Sequence, residues 1–159
     1  MSAADRLSDP APLRLQALDP EDLAVLSAHL QDAAVGVGDI AFLKEKRRFA
    51  LVAARFDWKA ETRGRLERCA TALHFEGVRA VRCFRLPREN PEAMLALLTI
   101  LFEADGAGPE GRIRLVFSGG TTIALDVDGV EAQLSDLGPR WRISSRPSHK
   151  LDEGQGAGP

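Results

Sequence analysis

Apolar and polar positions alternate along much of the chain, and this alternation sets most of its expected elements. Leu13, Leu15 and Ala17 are separated by Arg14 and Gln16, the period-two pattern of a half-buried strand. Ile113, Leu115 and Phe117 alternate with Arg112 and Arg114. Thr121, Ile123, Leu125 and Val127 alternate with Thr122, Ala124 and Asp126. Ser118-Gly119-Gly120 lies between these two runs and is a tight-turn signal, so together they predict a hairpin. A second hairpin is expected from Ile40, Phe42 and Leu43 to the arm Phe49–Trp58, with Lys44-Glu45-Lys46-Arg47-Arg48 as its charged tip. Residues 59–68 read as an exposed loop. Cys69–Phe75 and Val78–Leu86 predict a third hairpin around Glu76-Gly77. Val130, Ala132 and Leu134 make a weak last strand, followed by a segment with Trp141.

Two stretches carry helix signals. Asp19-Pro20-Glu21-Asp22 supplies an N-cap, a proline for the first turn and acidic residues for the positive end of the dipole. Leu23, Leu26, Leu30 and Ala33 then share one face, so a helix is expected to about Ala34, stopped by Gly36 and Gly38. Asn90-Pro91-Glu92 repeats the start signal. From Met94 to Phe102 the apolar residues cover nearly every direction around a helix axis, which predicts a helix over 90–104 buried on more than one side. Met94, Leu95, Leu98 and Phe102 are its candidate interface residues.

The order strand, helix, strand, turn, strand occurs in residues 13–54 and again in 81–126, with the Pro-Glu pairs 71 residues apart. The expected fold is α+β, a mostly antiparallel sheet with two main helices on one face, built from two βαββ halves. Residues 1–11 read as a mobile arm, 12–143 as one domain and 144–159 as a disordered tail.

Composition is that of an ordinary globular chain, 45% apolar and 28% charged over 159 residues. No signal-peptide h-region or membrane-length apolar stretch is visible, which points to the cytoplasm. The net charge of −2 is unevenly spread. Residues 41–90 carry 13 basic and 6 acidic side chains, while 1–40 carry 2 and 7 and 91–159 carry 6 and 10. Such asymmetry marks either a surface for an anionic partner or a basic region neutralised by acidic neighbours.

Within the basic region, Arg47, Arg48, Arg55, Trp58 and Arg82 are the candidate ligand-binding residues. Guanidinium planes and a tryptophan face suit phosphates and bases. Against this, Trp58 closing the core and arginines pairing with Asp57, Glu61 and Glu67 would give a purely structural cluster. A pI near 5.9 also argues against a dedicated nucleic-acid binder. Phosphate-loop, His-Glu-x-x-His, Gly-x-Ser-x-Gly and Cys-x-x-Cys motifs are absent from the sequence. Asp126-Val127-Asp128-Gly129 lacks the later ligands of a calcium loop. Cys69 and Cys83 read as reduced structural thiols. His74 is the one histidine placed where a site with Cys69 or Cys83 would form, and it reads first as structural. No cofactor, metal or catalytic residue is assigned.

The stretches Leu15-Gln16-Ala17-Leu18-Asp19, Ser27-Ala28-His29-Leu30-Gln31-Asp32-Ala33 and Arg47-Arg48-Phe49 with Arg55-Phe56-Asp57-Trp58 resemble a bacterial family, domain of unknown function 2948. The resemblance spans about residues 12–143. It implies a small cytoplasmic protein and assigns no activity or site. The reading is therefore a non-enzymatic interaction module, a homodimer or the companion of a protein partner. The alternative is a binder of an anionic ligand or nucleic acid through the basic hairpin.

Overall fold

The computed structural model describes residues 11–144 and Pro147. The expected mobile arm and disordered tail otherwise lie outside the described residues. Nine strands form one sheet: β1 (Arg14–Ala17), β2 (Ala33–Leu43), β3 (Arg48–Phe56), β4 (Glu67–Phe75), β5 (Val78–Phe84), β6 (Met94–Ala104), β7 (Gly111–Phe117), β8 (Thr122–Val127) and β9 (Ala132–Arg142). The helices are α1 (Pro20–His29) and a single turn, α2 (Trp58–Glu61). The strand order is β1-β9-β4-β3-β2-β6-β7-β8-β5, and every pairing is antiparallel. This is the expected α+β class with a mostly antiparallel sheet.

Local chemistry starts α1 where the sequence places it. Asp19 has extended backbone and its Oδ1 accepts the Asp22 amide at 2.7 Å, while Asp22 Oδ2 accepts the Leu18 amide at 3.1 Å. This reciprocal cap satisfies amides that the first turn leaves without partners. Leu23, Leu26 and Leu30 are fully buried against the sheet. The helix stops at His29, earlier than expected. Leu30 closes its end, Asp32 takes a left-handed φ of 63°, and β2 begins at Ala33. Gly36 and Gly38 lie inside β2, where the β2–β3 register slips between Val35 and Ile40. Their small size serves close approach there, since a Cβ on Gly38 would sit 3.0 Å from the Pro91 carbonyl oxygen.

The predicted helix over 90–104 is overturned: Met94–Ala104 is β6, in the middle of the sheet between β2 and β7. The cause is a bulge. Leu97 pairs with Phe117, but Thr99 pairs with Val116, so Leu98 is the extra residue. The bulge changes which parity of residue faces the core. Leu97 and Ile100, three apart, are both buried, and this spacing imitates a helical stripe. Beyond the end of β2, the Ile100 amide donates to Ser27 Oγ of α1 at 2.9 Å, so α1 covers that edge of β6.

The predicted hairpin across Glu76-Gly77 is also overturned. Both edges of β4 are occupied, by β3 and by β9, and β5 pairs with β8 at the far end of the sheet order. Two residues nevertheless link β4 to β5, so the sheet curls back on itself. The Val78 amide donates to the Arg47 carbonyl at 2.9 Å and the Glu76 amide to the Glu131 carbonyl at 2.9 Å, which hold that junction. The curl encloses one core from α1 and the strands, with Phe49 and Phe75 in ring contact at 6.4 Å. With 90–104 in the sheet, the second half has no helix to match α1.

Candidate functional site

The five arginine and tryptophan candidates do not converge. Arg47 and Arg48 sit at the β2–β3 turn; Arg55 and Trp58 sit at the other end of β3, about 23 Å away at about 3.3 Å per residue. Arg47 pairs with Asp128 at 2.5 Å, and Arg48 Nε with Glu76 Oε2 at 2.7 Å. The Arg48 hydrogen bond holds the Glu76 carboxyl below its ordinary range, against partial burial and with help from His74. Arg55 is 4% exposed and doubly bonded to Asp136. Trp58 packs edge-on against Phe56 at 4.5 Å.

His74 meets Glu76 Oε2 through Nδ1 at 2.9 Å and Gln133 Oε1 through Nε2 at 3.1 Å. Cys69 and Cys83 are free thiols on strands that do not pair. Burial, with the Asp136 charge added, pushes the Cys69 thiol up and disfavours its nucleophilic form. Among the described residues no group of three or more His, Cys, Asp or Glu is placed to hold a metal, and no helix is long and apolar enough to cross a membrane.

Arg82 belongs to a different assembly, on the outer face of β6, β7, β8 and β5. The register places three rows across these strands. Thr99, Val116, Thr122 and Phe84 form one; Leu101, Arg114, Ala124 and Arg82 the next; Glu103, Arg112, Asp126 and Ala80 the third. Side chains in such rows are direct neighbours on one face. Ala124 is only 6% exposed although it faces outward, because its methyl group is the floor between Arg114 and Arg82. Around it is a groove of about 470 Å³ lined by Arg82, Arg85, Arg112, Arg114, Phe84 and Thr122 among others. Phe84 is 63% exposed.

Two carboxylates partly neutralise the groove. Asp126 Oδ1 receives Arg82 Nη2 at 2.9 Å and Arg112 Nε at 3.2 Å. Glu103 pairs with Arg114 at 2.6 Å. Arg85 has no ion-pair partner among the described residues. Its backbone is left-handed, φ 55°, and its carbonyl accepts the Thr121 hydroxyl at 2.8 Å. Four guanidinium groups thus face two carboxylates beside an exposed aromatic ring. Arg112 and Arg114 were legible as outward positions of an amphipathic strand. Their meeting with Arg82 depends on the β5–β8 pairing, for which the sequence carries no local signal.

The family model for DUF2948, a protein of unknown function, matches residues 13–149. The chain belongs to the DUF2948 family. The match covers β1 to β9 and with them both the groove and the Arg55 pair of this DUF2948 protein. No curated protein matches the chain, and no solved structure does.

Proposed function

We propose that this DUF2948 protein is a non-enzymatic binding module that takes an extended anionic partner, single-stranded nucleic acid in the first instance, across the β6–β7–β8–β5 face. The observation that carries the reading is the convergence of Arg82, Arg85, Arg112 and Arg114 on the floor made by Ala124, beside Phe84. Arginine forks suit phosphate oxygens, and an exposed ring offers a stacking surface. The basic residues singled out at the β2–β3 turn are already tied to Asp128 and Glu76, which moves the candidate surface from that hairpin to the sheet face.

The test is fluorescence anisotropy with a labelled single-stranded oligonucleotide from low to high salt, with an acidic peptide as a second probe. Three phosphate contacts give a log K against log salt slope of about −2. The Arg82→Glu, Arg114→Glu double variant is expected to lose at least tenfold in affinity while keeping its thermal melt. Binding that ignores salt, or that survives this variant, overturns the reading. A preference for the peptide reassigns the partner to a protein.

A second reading, assembly of two copies, is favoured by the exposed apolar residues of β6. Met94 is 62% and Leu101 49% exposed, whereas Leu95, Leu98 and Phe102 are half-buried. Light scattering on the wild type and on Met94→Glu, Leu101→Glu tests it. A salt-independent dimer that the double variant breaks supports assembly, and a monomer removes it.

A further inference from the structure

We infer that a second recess, between the end of α1, the start of β1, the end of β3 and α2, is a binding site for a compact phosphate-class dianion. The recess holds about 310 Å³ and is lined by Arg14, His29, Arg55, Asp57, Lys59 and Arg63, together with Ala11, Pro12 and Leu13. It shares no residue with the arginine groove.

Among the described residues, charge accounting inside the recess leaves three cations without an ion-pair partner. Arg55, at its floor, gives Nε and Nη2 to Asp136 at 2.8 Å each. Asp57 is 3% exposed and both its oxygens are engaged. Oδ1 accepts the Lys59 and Ala60 amides at 3.0 Å, and Oδ2 accepts the Arg140 guanidinium. The two carboxylates are therefore held inside the fold. Arg14, Lys59 and Arg63 have no ion-pair partner among the described residues. Arg14 on β1, Lys59 on α2 and Arg63 just beyond α2 border one small concavity, and among the described residues no carboxylate is ion-paired with any of the three.

His29, on the wall of the recess, lies within reach of the same charges. It is the last residue of α1, where the helix dipole by itself favours a protonated ring. Its proton affinity is nevertheless lowered, by burial first and then by the charges of Lys59 and Arg55, against the opposing charge of Asp136. A neutral imidazole on the wall provides one donor and one acceptor for a ligand's oxygens. The small volume, the several separate cations and the polar ring fit a phosphate or phosphate monoester better than a long polyanion.

The experiment is an NMR titration of the whole chain with inorganic phosphate, at constant ionic strength held with chloride, following the His29 ring. Saturable shifts, a His29 pKa that rises when phosphate is bound, and a melting temperature that climbs with phosphate concentration are expected. The Lys59→Ala, Arg63→Ala variant, altered at two exposed side chains, is expected to lose the saturation. The Arg82→Glu, Arg114→Glu variant is expected to keep it, so failure of the groove and failure of this recess are read separately. Shifts that grow without saturating, or an affinity unchanged in Lys59→Ala, Arg63→Ala, overturn the proposal.

Discussion

Arg55 and Asp136 sit on strands that are not neighbours, yet they bond across the strand between them. β4 separates β3 from β9, and Arg55 reaches over Cys69 to place Nε 2.8 Å from Asp136 Oδ1 and Nη2 2.8 Å from Oδ2. The two side chains are 4% and 1% exposed. Asp136 Oδ2 also accepts the Leu13 amide at 2.8 Å. One carboxylate therefore ties β3, β9 and the chain entering β1, and it fixes the wall shared with the recess at Arg55.

Removing one partner strands a buried charge. Arg55→Ala is expected to cost about 3–5 kcal/mol, the range for breaking a buried ion pair. Replacing both partners by apolar residues, Arg55→Met with Asp136→Leu, is expected to cost much less. The Leu13 amide then loses its acceptor, at about 1–3 kcal/mol. Urea unfolding of the two variants checks this, and equal losses would count against a desolvated pair.

The same pair sets an acid limit. Burial pushes the Asp136 carboxyl up, but the Arg55 hydrogen bond, the Leu13 amide and the Arg55 charge outweigh it and hold the group below the ordinary carboxylate range. A carboxyl depressed in the folded state binds its proton more readily when unfolded. Its stabilisation is present above the unfolded pKa, about 3.9, and is lost as pH falls through the lower folded value. Glu76, depressed by Arg48, acts in the same direction. Unfolding free energy measured from pH 6 downward is expected to fall below about pH 4, and the gap between wild type and Asp136→Asn to narrow over that interval.

Where an element is decided within a few residues, it was legible. Asp19 and Asp22 cap α1, and the β7–β8 hairpin turns at Ser118-Gly119-Gly120 between alternating runs. Expectation and structure part where distant pairing decides. Glu76-Gly77 is a short link, but its strands separate because β3 and β9 hold both edges of β4. Leu98 is a bulge only because β7 is its partner. The candidate residues follow the same division. Arg82 was visible as a charge interrupting an apolar run, while Asp126, 44 positions away, is what orients it. Arg55 stands out in the sequence as part of a basic cluster, but its partner is 81 positions distant.

The bulge makes a sharp prediction on three leucines of β6. A helix would bury Leu97, Leu98 and Leu101 together, whereas β6 buries Leu97, leaves Leu98 half-buried and turns Leu101 outward. Leu97→Ala is expected to cost about 2–5 kcal/mol, as for a fully enclosed leucine. Leu98→Ala should cost clearly less, and Leu101→Ala should fall within about 0.5 kcal/mol of wild type. Chemical denaturation of the three single variants ranks them.

Gly111 opens β7 where it meets the end of β6. A Cβ there would fall inside contact distance of the Glu103 carbonyl oxygen and 2.6 Å from Phe102 Cζ. The obstacle is backbone, which cannot swing aside as a flexible side chain can. Gly111→Ala is expected to destabilise by about 1–3 kcal/mol through overpacking. A thermal melt checks it, and an unchanged melt would mean that the β6–β7 register ends before Ala104.

The last prediction concerns the sign of a charge removal on the sheet face. Asp126 holds Arg82 and Arg112 at once, with the arginine side chains 51% and 35% exposed. Pairs this exposed contribute at most about 1 kcal/mol to folding. Asp126 therefore acts less as a stabiliser than as a brake on the groove, since it competes with any incoming anion for the same two guanidinium groups. Asp126→Asn keeps the size and an acceptor oxygen while removing the charge. It is expected to leave the melt nearly unchanged, to tighten oligonucleotide binding severalfold at low salt, and to lose that advantage at high salt. Asp128→Asn, whose partners are Arg47 and Arg79 outside the groove, removes the same charge without releasing Arg82 or Arg112. If both variants tighten binding equally, net charge alone is responsible; if only Asp126→Asn does, the groove is the surface that binds.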